Sequence, residues 1–330
     1  MIRTGGNRRR IRIVVNPSAR SGRGPRLLRD LAATMTGPAP LEWVVSRSAA
    51  HLRDLVAEAE DAGPGEYEAV AVAGGDGSVR NALAALSSPN RIPFGVVPIG
   101  SGNDFAFDLG IPRNPVEALG LLADGIPRRV DVGRTGNGTR YCCVASVGLD
   151  EVALDVVHHS GLPRCKALNV MAALWALFTY RPRPLRIRWE GGMLEDEVMF
   201  AAVTNTRGYG GGFVISPGAS VTDGALDLCI VARSGRIALL SKFVHILRGT
   251  HAGLPRVTLA QSPWVTIEDL SGGAQAALDG ELPDSATPLR LECEAGGLEV
   301  ILPRRVEQLD ELPDQRVPRL RAAPPAEEAA

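Results

Sequence analysis

The chain has 330 residues, 45% of them hydrophobic, with 36 lysines and arginines against 37 acidic residues. This length allows two domains with cores of their own, and the composition excludes a disordered chain. A net charge of −1 supplies no overall field for a nucleic acid, so no nucleic-acid partner is expected.

The cysteines and the apolar runs indicate a cytoplasmic protein. The five cysteines are odd in number and contain no CxxC pair, which favours buried thiols in a reducing compartment over a disulfide framework. The residues before Asn16 include arginines but no sustained apolar core, so we do not expect a signal peptide there. The longest apolar run, residues 167–180, is too short to span a bilayer.

Short apolar runs alternate with helical patterns in the first hundred residues. Such alternation predicts a parallel sheet with helices on its faces. The predicted strands are Ile11–Val15, Leu41–Val45, Ala69–Ala73 and Phe94–Ile99, and the predicted helices are Pro25–Met35, Ala49–Ala62 and Ser78–Leu86.

The pattern changes near Val130. Two predicted strands flank an Asn137-Gly138 turn, a helical insert follows over about residues 162–180, and a helix is predicted at Gly235–Arg248. The remaining runs are short and separated by glycine or proline, which predicts an antiparallel sandwich. These predicted strands are Leu185–Trp189, Val198–Thr204, Leu226–Ala232, Val257–Leu259, Val265–Ile267, Leu289–Cys293 and Leu298–Leu302.

Three loops that follow predicted strands are suited to binding an anion. The loops at residues 14–24, 74–78 and 100–103 offer backbone N–H groups at the carboxyl edge of the sheet. The chain has no GxxxxGK[ST] motif, and GxGxxG fails at Arg80 and Phe105, so neither a P-loop nor a Rossmann site is expected. The alternative is that the glycines form tight turns, with Asp76 or Ser78 as a helix N-cap.

Five motifs occur in a fixed order along the chain: NPSARSGRG, GGDGSVRNAL, GSGNDFAFDLGIP, GGGFVISPGASVTDGALDL and DGEL. This ordered set resembles the bacterial diacylglycerol kinase-like lipid kinases, a family that includes sphingosine and ceramide kinases and is related in fold to NAD kinases. The resemblance covers roughly Arg10 to Pro303.

The resemblance implies two domains. Residues 1–130, joined by part of 286–303, would form an α/β nucleotide-binding domain with a parallel sheet of the NAD kinase and phosphofructokinase type. Residues 131–285 would form a mostly antiparallel β-sandwich domain with helical inserts, which binds the lipid acceptor. Residues 304–330, which are charged and contain prolines, are predicted to be a disordered tail.

The resemblance also implies an ATP-dependent lipid kinase that transfers the γ-phosphate to a lipid hydroxyl, converting diacylglycerol to phosphatidate. Two alternatives stay open: a kinase of another acceptor (a sphingoid base, another lipid, NAD or a soluble alcohol), and a non-catalytic lipid-binding relative. The expected partner is a lipid at the membrane surface, reached by peripheral contact, and the sequence leaves a homodimer open.

ATP and Mg²⁺ are the expected cofactors. Phosphoryl transfer requires charge neutralisation, and because Lys166 and Lys242 are the only lysines, Mg²⁺ is the natural neutraliser. Asp76 would then face the phosphates through the metal. The motifs assign the nucleotide to Asn16, Pro17, Ser18, Ser21, Gly22, Ser46, Gly74, Gly75, Asp76, Gly77, Ser78, Gly100, Ser101 and Asn103.

Other acids are assigned by their place in the motifs. Asp131 matches a family acid that joins the network of metal and water around Asp76. Asp104 is a weaker candidate for the same network and is equally explained as a helix N-cap. Asp279 or Glu281 would accept the proton of the lipid hydroxyl, and the sequence does not choose between them. The alternative for Asp279-Gly280 is a type I′ hairpin turn.

A structural magnesium site is implied at Asp223, with backbone carbonyls at Ser220 and Ala225 as the other ligands. Thr222 stands where the family has a second acid, which puts the metal affinity in doubt, and a plain Asp-Gly turn is the alternative.

The apolar insert, bounded by arginines and a lysine, has two interpretations: a membrane contact, or a core helix with basic ends. His158 and His159 lack a paired ligand pattern and are assigned no metal.

Overall fold

The computed structural model describes residues 10–19, 41–162, 165–282 and 286–304. The predicted helix Pro25–Met35, the predicted nucleotide residues Ser21 and Gly22, and all but the first residue of the predicted tail lie outside these ranges. The strands are β1 (Ile11–Val15), β2 (Leu41–Val45), β3 (Ala69–Gly74), β4 (Phe94–Pro98), β5 (Ile126–Thr135), β6 (Arg140–Tyr141), β7 (Val144–Gly148), β8 (Arg183–Trp189), β9 (Gly192–Thr204), β10 (Gly208–Tyr209), β11 (Phe213–Val214), β12 (Leu226–Ala232), β13 (Val257–Ser262), β14 (Trp264–Asp269), β15 (Ala276–Leu278) and β16 (Leu289–Leu302). The α-helices are α1 (Ala49–Ala62), α2 (Asp76–Leu83), α3 (Asp104–Asp108), α4 (Pro115–Asp124), α5 (Leu149–His159), α6 (Lys166–Thr179) and α7 (Arg236–Leu247).

The first four strands form the predicted parallel sheet, in the order β2-β1-β3-β4. Every residue of β3 is buried, as expected for a strand covered on both faces. Because the strands run in the same direction, the loops that follow β1, β3 and β4 meet at one edge of the sheet. The sheet therefore places all three glycine loops together.

The later strands are antiparallel, as predicted, and β9 is their centre. The first half of β9 pairs with β8, and its second half lies between β12 and β7. The alternating apolar residues of these strands form a second core, which includes Leu185, Val203, Leu228 and Val265. The predicted fold class, a parallel region followed by an antiparallel region with helical inserts, is confirmed.

One prediction about the last strand is wrong. The runs Leu289–Cys293 and Leu298–Leu302 are a single strand, β16, whose pairing with β5 shifts register between Glu294 and Leu298. The glycines at this point mark a bulge rather than a break, because four residues of β16 lie opposite two of β5 and the extra residues are absorbed without ending the strand. β16 pairs antiparallel with β14 and β5, and Val300 pairs parallel with Phe94 of β4.

Three helices form where they were predicted. α7, predicted as Gly235–Arg248, agrees to within one residue at each end, and α6 lies inside the insert predicted at about residues 162–180. α1 has the predicted bounds, with the Ser48 hydroxyl accepting a hydrogen bond from the backbone N–H of His51 at its start. α2 begins at Asp76 rather than at the predicted Ser78, and α4 and α5 were not predicted. Within the described ranges, no helix is long and apolar enough to cross a bilayer.

Candidate active site

The three glycine loops converge at the carboxyl edge of the parallel strands. The Asn16 side chain donates from Nδ2 to the Ser78 hydroxyl at 2.9 Å, which ties the loop after β1 to the first turn of α2. These loops wall one end of a cavity of about 790 Å³. The predicted nucleotide residues on this wall are Asn16, Pro17, Ser18, Ser46, Gly75, Asp76, Gly77, Ser78, Gly100 and Ser101.

Two of the loops touch through glycines. A Cβ on Gly100 would lie 2.4 Å from the Cα of Gly75, closer than a side chain allows. Asn103, in the left-handed conformation with φ 61°, accepts from the Gly100 N–H at 2.8 Å and donates to the Gly100 carbonyl at 3.0 Å. Asn103 therefore holds the Gly100 loop and is not part of the cavity wall. Gly74 is not part of the wall either, and a Cβ there would meet the Ser78 hydroxyl.

Asp76 anchors the loop after β4 as well as facing the cavity. Its Oδ2 accepts from the backbone N–H of Asn103 at 2.7 Å, and its Oδ1 accepts from that of Phe105 at 3.2 Å. Burial, together with the nearby carboxylates of Asp104 and Asp279, raises the pKa of Asp76 to about 6. Carboxylates gathered in this way attract a hard cation with oxygen ligands, so Asp76 and Asp104 fit Mg²⁺.

The raised pKa of Asp76 predicts a specific dependence of stability on pH. Between pH 4 and 6 the folded protein retains a proton on Asp76 that the unfolded chain has released, so the free energy of unfolding falls as pH rises through this window. The loss attributable to Asp76 is at most about 3 kcal/mol. Urea unfolding of the wild type and Asp76→Ala, measured from pH 4 to 7 without nucleotide, should show a steeper fall in the wild type. Parallel curves would contradict this.

The hairpin after β15 separates the two acids of the DGE triplet. Asp279 and Gly280 both have positive φ, 47° and 77°, and Leu278 and Glu281 exchange two backbone hydrogen bonds, as in the type I′ turn that was the alternative prediction for this dipeptide. The Asp279 carboxylate accepts three backbone N–H groups, from Cys142 at 2.8 Å, Cys143 at 2.8 Å and Val144 at 3.0 Å. Asp279 thus clamps the hairpin to the start of β7.

Glu281 and Asp279 both line the cavity, but the three backbone N–H groups donate to Asp279. The side chain of Glu281 is about one-third exposed, and its Oε2 is 3.7 Å from Nε2 of His158. His158 lies near the end of α5, and its Nε2 has no hydrogen-bond partner in the part of the chain that the structure describes. Of the two acids, Glu281 has the geometry for exchanging a proton with a molecule in the cavity.

The contribution of α5 to the site was missed at the level of sequence. Besides His158, this helix places Asp150 on the cavity wall, where the carboxylate accepts from the Ser146 hydroxyl at 2.7 Å and from the Tyr209 hydroxyl. The signal was present, because apolar residues at positions 149, 152, 153, 156 and 157 have helical spacing.

Asp279 also lies beside two thiols, with Cys142 Sγ 3.3 Å from its Oδ2. The hydrogen bond with Cys143 lowers the pKa of Cys142, but burial outweighs it and raises that pKa to about 12. The pKa of Cys143 is also raised, so both groups are protonated thiols. In this protonated state the Cys142 thiol donates a hydrogen bond to Asp279, which adds to the three backbone contacts of that carboxylate.

The far end of the cavity is apolar. It lies between α5, α6, α7 and the strands β9 and β12, and is continuous with the end that the glycine loops form. The helical residues on its wall include Ala153, Val157, Ala173, Leu177, Leu239 and Phe243. One space therefore joins an anion-binding edge to a compartment suited to hydrocarbon, with Glu281 also on its wall.

Ser46 and Asp131, two further predicted site residues, are engaged with the protein. The Ser46 hydroxyl donates to the Val15 carbonyl at 3.0 Å. Asp131 is 3% exposed, accepts from the backbone N–H of Gly224 at 2.8 Å and of Gly296 at 2.7 Å, and is not on the cavity wall. It joins β5 to the bulge of β16, and this geometry gives no support to the metal–water role predicted for it.

The predicted structural metal site has one feature that suits a cation. Asp223 accepts from the Ala225 N–H at 3.2 Å and from the Gln261 amide at 2.5 Å, as in an ordinary Asx turn. Asp227 follows in the chain, and burial together with Asp223 raises the pKa of Asp227 to about 7. Its Oδ2 is buried without a hydrogen-bond partner among the described residues, so the pair fits a divalent cation.

Two family models match almost the whole described chain. The Diacylglycerol kinase catalytic domain matches residues 10–135, and the YegS C-terminal NAD kinase beta sandwich-like domain matches residues 143–302.

Curated proteins and solved structures agree with these matches. The chain is 35% identical over 269 residues to a diacylglycerol kinase of Mycobacterium tuberculosis, covering 79% of this chain and 84% of that protein. It is 32% identical over 235 residues to a probable lipid kinase YegS-like of Chromohalobacter salexigens, covering 69% of this chain and 73% of that protein. A crystal structure of a putative diacylglycerol kinase from Bacillus anthracis has the same fold, with a TM-score of 0.71 and 22% identity. The match covers 90% of this chain and 98% of that one.

Proposed function

The chain belongs to the diacylglycerol kinase family of lipid kinases, and we propose that it transfers the γ-phosphate of ATP to the free hydroxyl of diacylglycerol, forming phosphatidate and ADP. The observation that carries this proposal is the single cavity that joins the glycine loops to an apolar compartment, with Glu281 on its wall. Phosphate and hydrocarbon can both be accommodated in that cavity.

The nucleotide binds at the glycine-loop end. Backbone N–H groups of the loops after β3 and β4 and the start of α2 hold the phosphates, since such groups bind anions without a side-chain charge. The contact between Gly75 and Gly100 keeps the loops close enough to act together.

Mg²⁺, when bound, neutralises phosphate charge during transfer. Asp76, with Asp104 nearby, would hold this ion. Asp223 and Asp227, with the carbonyls of Ser220 and Ala225, would hold the structural one.

The lipid hydroxyl approaches from the apolar end. Glu281 accepts its proton as the hydroxyl oxygen bonds to the γ-phosphorus, and the bond from that phosphorus to the β–γ bridging oxygen breaks, so ADP leaves with the electron pair. Asp279 positions this base by holding the hairpin on β7, since its three backbone contacts fix the turn. Turnover then depends on two acids with separate tasks.

The acceptor is tested with ATP labelled at the γ-phosphate, Mg²⁺ and mixed micelles of diacylglycerol, sphingosine, ceramide or monoacylglycerol, with NAD and glycerol as soluble acceptors. We expect label in phosphatidate. Label only in another lipid would overturn diacylglycerol as acceptor, and label only in a soluble acceptor, or none at all, would overturn the proposal.

A pair of variants ties the acceptor to the apolar compartment. Ala173→Phe places a ring on the cavity wall, so the KM for long-chain diacylglycerol should rise several-fold while the KM for ATP stays constant. Ala123→Phe, on the exposed side of α4 and not on the cavity wall, is the matched control and should leave both KM values unchanged. Equal KM values for diacylglycerol in the two variants would contradict the assignment of this compartment.

A further inference from the structure

One face of α5 lines the cavity, and this face carries a histidine near its end. The residues of α5 on the cavity wall have the spacing of one side of a helix: Leu149, Asp150, Ala153, Leu154, Val157 and His158. Four of the six are apolar, and the Asp150 carboxylate accepts hydrogen bonds from two hydroxyl groups. His158 is the other polar residue on this face.

The fold itself does not use the Nε2 atom of His158. This atom is buried and has no hydrogen-bond partner in the described parts of the chain. A buried polar atom without a partner lowers stability, so a role outside folding is the better explanation for its presence. Oε2 of Glu281 lies 3.7 Å away, which is beyond the length of a hydrogen bond.

Side-chain motion alone can close this distance. The contacts of Asp279 with residues 142–144 hold the hairpin backbone in place, whereas the side chain of Glu281 is about one-third exposed and can change rotamer. A hydrogen bond requires about 2.9 Å, so Oε2 has to move by roughly 0.8 Å. Contacts of this kind are often long before the substrate binds and shorten in the reacting complex.

We propose that His158 is a positioning residue for Glu281. Its Nε2–H donates a hydrogen bond to Oε2 and thereby presents Oε1 to the acceptor hydroxyl. Oε1 takes the hydroxyl proton as the hydroxyl oxygen bonds to the γ-phosphorus, and His158 keeps its own proton throughout. His158 acts only through Glu281. The inference rests on the proposed function, because it assigns a partner to the base of that reaction.

The next residue in the chain provides a matched comparison. The side chain of His159 is 78% exposed and is not on the cavity wall. Its Nδ1 lies 3.0 Å from the carbonyl oxygen of Asp155, one turn earlier in the same helix. Substitutions at positions 158 and 159 therefore change the same residue type in the same turn, and only the first one faces Glu281.

The test measures turnover with labelled ATP, Mg²⁺ and diacylglycerol micelles. His158→Leu should lower kcat about tenfold, a part of the loss expected for Glu281→Gln, and leave the KM values for ATP and diacylglycerol unchanged. His158→Gln should stay within about threefold of the wild type, because its amide offers an N–H donor at similar reach. His159→Leu should match the wild type.

Two further measurements separate this role from a structural one. In a Glu281→Gln background, His158→Leu should cause no further loss of turnover, since two residues that act as a unit are not additive. Without nucleotide, His158→Leu should unfold at the wild-type temperature or above it, because the substitution removes a buried nitrogen that has no partner among the described residues.

Any of five results would overturn the inference: His158→Leu as active as His159→Leu, no recovery of turnover in His158→Gln, a raised KM for diacylglycerol at unchanged kcat, a further loss in the Glu281→Gln background, or unfolding of His158→Leu below the wild-type temperature. A wild type that labels no acceptor would refute the proposed function and this inference with it. Equal labelling of diacylglycerol by the wild type and His158→Leu would refute the inference alone.

Discussion

Glu281→Gln is expected to lower turnover of diacylglycerol by roughly 10²–10⁴-fold with little change in ATP affinity. Glutamine keeps the size of the side chain but cannot accept the proton of the lipid hydroxyl. Turnover is measured in micelles, and ATP affinity by calorimetry in the presence of Mg²⁺. Urea unfolding of this variant should match the wild type, because the side chain lies on the cavity wall and not in the core.

Asp279→Asn is the matched comparison and should behave differently. The asparagine amide would place an NH₂ group against backbone N–H groups that now donate to the carboxylate. This should lower the free energy of unfolding by about 1–3 kcal/mol. The result that would contradict the separation of roles is an Asp279→Asn protein as stable as the wild type together with an active Glu281→Gln protein.

The second large effect is expected for Gly100→Ala, which should lower stability by about 1–3 kcal/mol and weaken ATP binding by tenfold or more. The added Cβ would lie 2.4 Å from the Cα of Gly75, so one backbone must move and the two loops separate. Thermal unfolding reports the first effect, and nucleotide titration reports the second.

Gly77→Ala supplies the control for that substitution. Gly77 lies in the first turn of α2, beside the same loops, but a Cβ there would meet no atom within 4 Å, so thermal stability without nucleotide should be unchanged or slightly raised, because alanine favours a helix more than glycine does. Equal destabilisation by the two variants would show that loss of glycine flexibility, and not the contact between the loops, determines the effect.

Local patterns predicted the fold well where the local signal was strong. β1, β2, α1 and β12 have the predicted bounds, since a short apolar run or a capped amphipathic helix contains in its own residues the signals for where it begins and ends. The bulge in β16 could not be read locally, because Gly296 looks like a strand end until its N–H is seen to meet Asp131, 165 residues away in sequence.

In the site, too, local sequence predicted some features, while others depend on contacts between residues that are distant in sequence. Glycine motifs located the three loops that meet at the cavity, because those residues act through their own backbone. The division between Asp279 and Glu281 was not accessible, since it depends on the hydrogen bonds that residues 142–144 donate to Asp279. The nearness of His158 to Glu281 likewise depends on how α5 packs.

The final strand also sets the order in which the protein can fold during synthesis. β16 is the antiparallel partner of β5 and β14 and touches β4, so the parallel and antiparallel regions share it. Neither region is complete until residues 289–302 have left the ribosome, and about 150 residues separate β5 from its partner. Until then the edge of β5 stays open, which makes the nascent chain a natural client for chaperones that shield unpaired strands.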